Sequence, residues 1–138
     1  MKKVDFLIVD DSKAATFFNQ TCIKRVFEEV VIETAQSGEK ALKLLKSEIM
    51  PAVILLDLNM PVMDGWEFIE EFKKFDVNYR NEVNIVLNSE MRLSDKEKDF
   101  VKNTPEIKQH FGKMLSKDDI NSLVANFITG SQKLCVNL

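Results

Sequence analysis

Carboxylates follow two apolar segments of this sequence, at points where the chain would leave a buried strand. Asp10 and Asp11 come directly after one apolar run, and Asp57 comes directly after Leu55 and Leu56 in another. Three carboxylates brought to one place would resist ionisation unless a cation lay among them. The pattern therefore predicts that these carboxylates bind a metal ion and that the site takes part in a reaction.

A hydroxyl and an ammonium follow two further apolar segments. Ser89 and Glu90 come after the fourth run and Lys113 comes after the fifth. One carboxylate of the acidic pair, Asp57 and a backbone carbonyl just after it would give oxygen-only ligands, which favour Mg²⁺ over zinc or copper. A carboxylate beside Mg²⁺ can attack phosphorus and form an aspartyl phosphate, because the cation and a lysine offset the transferring charge. We expect Asp57 to be this nucleophile, with Lys113 as its charge partner and Ser89 as a small neighbour.

The elements that must position these residues are short apolar runs that alternate with longer segments of helical periodicity. Nearly continuous apolar character favours parallel strands that are covered on both faces. Repeated strand and helix units imply a doubly wound α/β domain, because parallel neighbours need crossover helices. Ligands of such sheets bind beyond the carboxyl ends of the strands, where the acids fall. The predicted strands are Phe6 to Val9, Val30 to Ile32, Val53 to Leu56, Val83 to Leu87 and Ile107 to Phe111.

Four segments carry apolar residues at the spacing of a helix that packs on a core. Ser94 with Glu97, and Ser116 with Asp119, have the form of capping boxes at helix starts. We expect the polar segment from Asp76 to Glu82 to be a surface loop. The predicted core stripes are Ala15, Phe18, Cys22 and Val26; Ala41, Leu42, Leu45 and Ile49; Phe68, Ile69, Phe72 and Phe75; and Ile120, Leu123, Val124, Phe127 and Ile128.

Length and composition set the bounds on these predictions. The 138 residues suffice for one domain but not for two ordinary ones. We expect a domain at 1–130, ended by Gly130, and a tail at 131–138. The net charge of −3 provides no basic stripe, so direct binding of nucleic acid is not expected.

Two further classes are excluded by the pattern of the sequence. Cys22 and Cys135 do not form a zinc motif. No apolar run approaches the ~20 residues that cross a bilayer, and no secretory signal is seen. We therefore expect a cytoplasmic protein without membrane insertion.

Three features, in this order along the chain, resemble the receiver domain of two-component response regulators. Asp10-Asp11 resembles the family's acidic pair, the segment 56–65 (LDLNMPVMDG) resembles the phosphoacceptor segment, and Lys113 resembles the family's lysine. The resemblance covers essentially the whole chain. It implies a flavodoxin-like, five-stranded parallel sheet with strand order 2-1-3-4-5 and helices on both faces.

The resemblance also implies a role for each site residue. Asp57 would accept a phosphoryl group from a phosphohistidine, and Mg²⁺ would be bound by Asp10, Asp11, Asp57 and the carbonyl of Asn59. Asn59 and Glu90 occupy the two positions that influence the lifetime of the phosphoryl group. This pair is similar to that of fast-cycling chemotaxis receivers, which predicts a short-lived phosphoryl group.

Three positions depart from the family's pattern. Asn88 stands where receivers usually place Thr or Ser, so either Asn88 or Ser89 would contact the phosphoryl oxygen; a weakened switch is the third reading. Met114 follows Lys113 where proline is usual, and a cis bond there would cost ~2.5 to 4 kcal/mol, which favours a trans bond or a strained turn. His110 takes the place of the aromatic switch residue, or else it only fills the edge of the fifth strand.

The function predicted from these residues is that of a stand-alone response regulator. It would receive a phosphoryl group on Asp57 from a histidine kinase or phosphotransfer protein and signal through contact with an unknown protein target. It would not be an enzyme beyond weak self-phosphotransfer and autodephosphorylation. One alternative is a receiver-like scaffold whose binding ignores phosphorylation. Another is a phosphatase that uses an aspartyl phosphate. Such sites need a second Asp, as the acid/base, two positions after the nucleophile, where this chain has Asn59.

Overall fold

A parallel five-stranded sheet forms the centre of the computed structural model, which describes residues 1–90 and 92–128. The strands are β1 (Lys2–Val9), β2 (Ile32–Ala35), β3 (Ile49–Leu56), β4 (Asn84–Asn88) and β5 (Ile107–Phe111). Their order is β2-β1-β3-β4-β5, and all neighbours are parallel. The predicted flavodoxin-like fold is confirmed.

Helices cover both faces of this sheet. They are α1 (Lys13–Val26), α2 (Gly38–Ser47), α3 (Gly65–Phe72), α4 (Val77–Glu82), α5 (Asp95–Lys102) and α6 (Lys117–Phe127). One core cluster joins the sheet to apolar side chains of α2 and α3, such as Leu45 and Phe68. The other joins it to side chains of α1 and α6, such as Ile23 and Leu123. The capping boxes at Ser94 and Ser116 form as predicted.

Two predicted stretches differ in the structure because burial and strand pairing are separate properties. The second strand begins at Ile32, which pairs with Phe6 of β1, whereas Val30 is buried before the strand starts. The prediction of Val30 to Ile32 therefore located the buried entry to the strand and missed most of the ladder. Ile49, assigned to the second helical stripe, is the first residue of β3, although it packs in the same cluster as α2.

The predicted loop from Asp76 to Glu82 is wrong, because the segment forms the short helix α4. The carboxylate of Asp76 accepts a hydrogen bond from the N–H of Asn78 and so caps the helix. No residue of α4 is fully buried, so the segment shows little apolar periodicity. Two polar side chains fasten it instead: the hydroxyl of Tyr79 donates to the carbonyl of Ile49, and Arg80 donates to the carbonyl of Phe75.

The core face of α1 is displaced by one residue from the predicted stripe. Its buried residues are Ala15, Asn19 and Ile23, while Phe18 is exposed. The displacement follows from the polar Asn19, which occupies a core position that an apolar pattern cannot mark. Among the described residues, no helix combines the length and apolar character needed to cross a membrane. The predicted helix end at Gly130, the tail at 131–138 and Cys135 lie outside the described residues.

Candidate functional site

Asp10, Asp11 and Asp57 meet at the carboxyl end of the sheet because β1 and β3 are neighbours. The N–H of Asp57 donates to the carbonyl of Val9 at 2.9 Å, which sets the two strand ends side by side. One oxygen from each of the three carboxylates lies within 4.8 Å of the others. Asp10 and Asp57 are only 1% and 2% exposed, whereas Asp11 is open to solvent. The structure thus brings the three predicted acids together.

The ammonium of Lys113 reaches into this acidic cluster from the loop after β5. Its Nζ lies 3.1 Å from Asp10 Oδ1 and 3.0 Å from Asp57 Oδ2. Burial lowers the pKa of Lys113, but its hydrogen bonds to Asp57 and Asp10 raise the pKa by more, so the net pKa lies above the ordinary value. Lys113 therefore stays charged and offsets part of the negative charge of the cluster.

Asp10 carries a buried oxygen atom that has no hydrogen-bond partner among the described residues. Its Oδ1 accepts from the N–H of Ser12 at 2.8 Å and from Lys113, whereas Oδ2 accepts nothing. Burial raises the pKa of Asp10, as does the charge of Asp57, although Ser12 and Lys113 lower it. An unpaired buried carboxylate oxygen is costly, and a hard cation would satisfy it. The oxygen-only donor set and this oxygen fit Mg²⁺.

The turn after β3 holds Asp57 against the start of α3. The N–H of Asn59 donates to Asp57 Oδ1 at 3.2 Å, which folds the chain back over the carboxylate. Gly65 approaches so closely that a Cβ there would lie 2.8 Å from the carbonyl oxygen of Asp57. A side chain at position 65 would therefore push the turn away. This close approach explains why glycine ends the motif that singled out Asp57.

Residues at the end of β4 lie against the lysine loop. Asn88 is buried, and its Nδ2 donates to the carbonyls of Gly112 at 2.5 Å and Lys113 at 3.1 Å. Ser89 is also buried and follows it directly. The exposed Glu90 accepts a hydrogen bond from the backbone N–H of Lys113 at 2.8 Å. Asn88 and Glu90 therefore both bind the backbone that carries the ammonium.

Asn19 of α1 is a site residue that the sequence analysis missed. It is fully buried, and its Nδ2 donates to the carbonyl of Lys113 at 3.0 Å and to Asn88 Oδ1 at 3.2 Å. Its Oδ1 accepts from the N–H of Leu115 at 2.9 Å. The available signal was its position four residues after Ala15, on the face of α1 that packs on the sheet.

His110 and Met114 lie on the outside of the same region. The ring of His110 is exposed, and its Nε2 lies 3.0 Å from the carbonyl oxygen of Ser89. Because a carbonyl oxygen only accepts, the ring nitrogen donates. The bond between Lys113 and Met114 is trans, and the side chain of Met114 is exposed.

Known proteins match this arrangement in sequence and in structure. The family model described as the response regulator receiver domain matches residues 6–125. A chemotaxis protein CheY of Halobacterium salinarum is 33% identical over 72 residues, which cover 51% of this chain and 56% of that protein. A protein-glutamate methylesterase/protein-glutamine glutaminase of Caldanaerobacter subterraneus is 46% identical over 68 residues, which cover 46% of this chain and 17% of that protein.

Solved structures extend the likeness to nearly the whole chain. A two-component response regulator from Cytophaga hutchinsonii has a TM-score of 0.77 and 26% identity, covering 90% of this chain and 96% of that chain. A two-component response regulator from Legionella pneumophila has a TM-score of 0.78 and 26% identity, covering 88% and 95%.

Proposed function

The chain belongs to the response regulator receiver family, and from this premise we propose that Asp57 accepts a phosphoryl group from the phosphohistidine of a histidine kinase or phosphotransfer protein. The observation that carries the proposal is the setting of Asp57. Its buried carboxylate bonds the Lys113 ammonium at 3.0 Å and lies beside Asp10 and Asp11. A carboxylate held beside a fixed cation is suited to attack a phosphoryl group.

Each group has a distinct task in this transfer. An oxygen lone pair of Asp57 forms the bond to phosphorus, while the P–N bond of the donor breaks and its electrons return to the imidazole nitrogen. Lys113, which bonds Asp57 beforehand, offsets the charge of the phosphoryl oxygens. Asp10, Asp11, Asp57 and the carbonyl of Asn59 would hold Mg²⁺, which when bound supplies further charge compensation.

The lifetime of the phosphoryl group would depend on Asn59 and Glu90. Both side chains are exposed and can therefore contact solvent water. Glu90 is also bonded to the N–H of Lys113, which fixes it beside the loop. We expect hydrolysis to be rapid, and a phosphorylated protein that shows no decay over many hours would contradict this.

Ser89 is the residue that we assign to contact with the phosphoryl oxygen. The amide of Asn88 already donates to two carbonyls and accepts from Asn19, so it is committed to the lysine loop. The carbonyl of Ser89 accepts from His110 on the edge strand β5. A movement at Ser89 would therefore reach an exposed edge, where contact with a downstream protein could change.

A second candidate function is a receiver-like scaffold whose partner binding ignores phosphorylation, and the fixed amide of Asn88 favours it. The two candidates differ in whether a charge at Asp57 changes α5 and β5. Beryllofluoride, a phosphoryl mimic, should alter amide exchange in these two elements if the protein is a switch. Unchanged exchange there, with the mimic bound, would support the scaffold.

Phosphoryl acceptance is tested by mass measurement after incubation with Mg²⁺ and acetyl phosphate. The native chain should gain the mass of one phosphoryl group, and Asp57→Asn should gain none. The matched control is Asp64→Asn, because Asp64 lies in the same segment and caps α3, a task that asparagine also performs. A mass gain in Asp57→Asn would place the acceptor elsewhere.

A further inference from the structure

Two buried asparagines hold the loop that carries Lys113. Asn19 reaches the loop from α1, and Asn88 reaches it from the end of β4. Between them they bond the carbonyls of Gly112 and Lys113 and the N–H of Leu115. They also bond each other, since Asn19 Nδ2 donates to Asn88 Oδ1 at 3.2 Å. We call this pair the amide clamp.

The clamp leaves neither side chain free for another task. Each amide nitrogen has two acceptors, and each amide oxygen has a donor. A buried amide without partners would lower stability, so these contacts tie the loop firmly to α1 and β4. The loop backbone is thus joined to two elements that are themselves packed in the core.

The loop needs such support because its sequence does not stiffen it. Gly112 precedes the lysine and Met114 follows it, in place of a proline ring that would fix a backbone torsion. The long side chain of Lys113 must nevertheless place Nζ between Asp10 Oδ1 and Asp57 Oδ2. A displacement of the backbone would move the ammonium away from one carboxylate or both.

We propose that Asn19 and Asn88 are positioning residues that hold the backbone of Lys113 so that its ammonium meets Asp57. The proposal rests on the proposed function, because the ammonium matters for phosphoryl transfer to Asp57. It gives Asn88 a task different from that of the hydroxyl residue usual at this position of receivers. It also gives a part in the phosphoryl transfer to Asn19, a residue of α1 whose described hydrogen bonds go to Asn88, Lys113 and Leu115.

The test measures phosphorylation by acetyl phosphate and Mg²⁺ affinity in Asn19→Ala and Asn88→Ala. A displaced lysine should lower the initial rate roughly tenfold to a hundredfold, as expected for misplaced catalytic groups. Mg²⁺ affinity should not fall, because the carboxylates are not altered and a displaced ammonium offsets less of their negative charge. An unchanged rate in both folded variants would overturn the proposal.

A double-mutant cycle with Lys113→Ala separates positioning from a general loss of structure. If Asn19 acts through the lysine, Asn19→Ala should lower the rate in the native background and cause no further loss once Lys113 is absent. Equal losses in both backgrounds would mean that Asn19 does not act through the ammonium.

Asn84→Ala provides the matched control. Asn84 also donates from its amide to a backbone carbonyl, that of Ala52 at 2.9 Å, but it lies at the opposite end of β4. Its loss should leave the phosphorylation rate unchanged in both backgrounds. A fall as large as that of Asn88→Ala would show that any lost amide contact in β4 suffices, which contradicts a specific clamp.

Amide hydrogen exchange tests the clamp independently of phosphorylation. The N–H of Leu115 donates to Asn19 Oδ1, so Asn19→Ala should make it exchange faster while the core of β1 stays protected. If the native chain gains no mass at Asp57, the proposed function fails but this exchange result still stands. Native protection at Leu115 in Asn19→Ala would overturn the clamp. Should either alanine variant not fold, Asn88→Ser, which keeps a small donor, undergoes the same rate and exchange measurements.

Discussion

The two ends of the sheet use polar groups in opposite ways. At the carboxyl end, Asp10 is buried with one oxygen that has no partner among the described residues. At the amino end, the hydroxyl of Tyr79 donates to Ile49 at 2.8 Å, and Arg80 bonds Glu106 at 2.7 Å. One end therefore holds charges in readiness for a ligand, while the other holds polar groups that already satisfy one another. We infer from this difference that the site lowers stability locally and that the opposite end helps to maintain the fold.

Backbone and packing follow the same division. Val62, in the turn after Asp57, has a φ of 68°, a rare conformation for a β-branched residue. At the amino end, Phe72 packs against Phe75 and Tyr79, with ring centroids 5.4 and 6.4 Å apart. Strain lies beside the chemistry, and close packing lies away from it.

The largest expected effect on stability comes from removing an aromatic side chain at the amino end of the sheet. Phe72→Ala should lower the free energy of unfolding by about 3 to 5 kcal/mol, because Phe72 is fully buried and a cavity would remain. Denaturant unfolding measures this loss. Mg²⁺ affinity of the folded variant should be unchanged, since the ring lies away from the acids.

Phe17→Ala is the control for that substitution. Phe17 is 72% exposed on α1, so the same truncation should change the free energy of unfolding little. If both variants lost equal stability, the described packing at the amino end would not be what maintains the fold.

The next effect has the opposite sign and concerns the acidic end. When a chelator has removed Mg²⁺, Asp10→Asn should raise the free energy of unfolding by about 1 to 2 kcal/mol. The substitution removes a buried charge with an unpaired oxygen. Thermal unfolding with and without Mg²⁺ measures the change. Mg²⁺ should stabilise the native chain more than the variant.

Asp11→Asn serves as its comparison, because Asp11 is exposed and its charge is hydrated. We expect a smaller gain in chelator from this variant. A metal-free Asp10→Asn protein that is less stable than the native one would show that Asp10 supports the fold through Lys113 rather than straining it.

How much the sequence could predict follows the same division between the two ends. Asp10, Asp57 and Lys113 could be identified because phosphoryl chemistry demands those residue types at strand ends. At the amino end no reaction restricts the residue types. The sequence analysis missed α4 because the contacts of this helix come from polar side chains such as Arg80. Phosphoryl chemistry allows few residue types at the positions of the site, whereas many residue types can form a surface helix such as α4.

The amide clamp was not predictable for a different reason. Asn19 looks like an interruption of an apolar stripe until the loop that it binds is known. Asn88 looks like a poor substitute for a hydroxyl until its bonds to Gly112 and Lys113 are seen. Both residues have partners distant in sequence, which periodicity within one helix or strand cannot reveal.

A smaller effect tests the strain at the turn after Asp57. Val62→Gly should raise the free energy of unfolding by about 1 kcal/mol, because glycine adopts positive φ without strain and Val62 is 89% exposed, so little packing is lost. The gain is limited by the greater freedom of glycine in the unfolded chain. Val77→Gly, at an exposed valine that begins α4, should instead destabilise by about 0.3 kcal/mol. Losses in both variants would mean that Val62 is not strained.

The smallest effect on stability near neutral pH comes from the ionisation of Tyr79, which concerns the amino end alone. Tyr79 is the only tyrosine of the chain, and its burial raises its pKa to about 12. An unfolded tyrosine ionises near pH ~10, so between these values the folded state keeps a proton that the unfolded state loses. Stability contributed by this group is therefore complete below pH ~10 and falls as pH rises toward 12.

Ultraviolet absorbance should show a single tyrosinate transition near the higher value in the folded protein and near the lower value in urea. Tyr79→Phe should show neither transition and should lose less stability over that pH range, which assigns the difference to Tyr79. A folded midpoint near pH ~10 would mean that the hydroxyl is hydrated, and the contrast between the two ends would then rest on the ion pair and the rings.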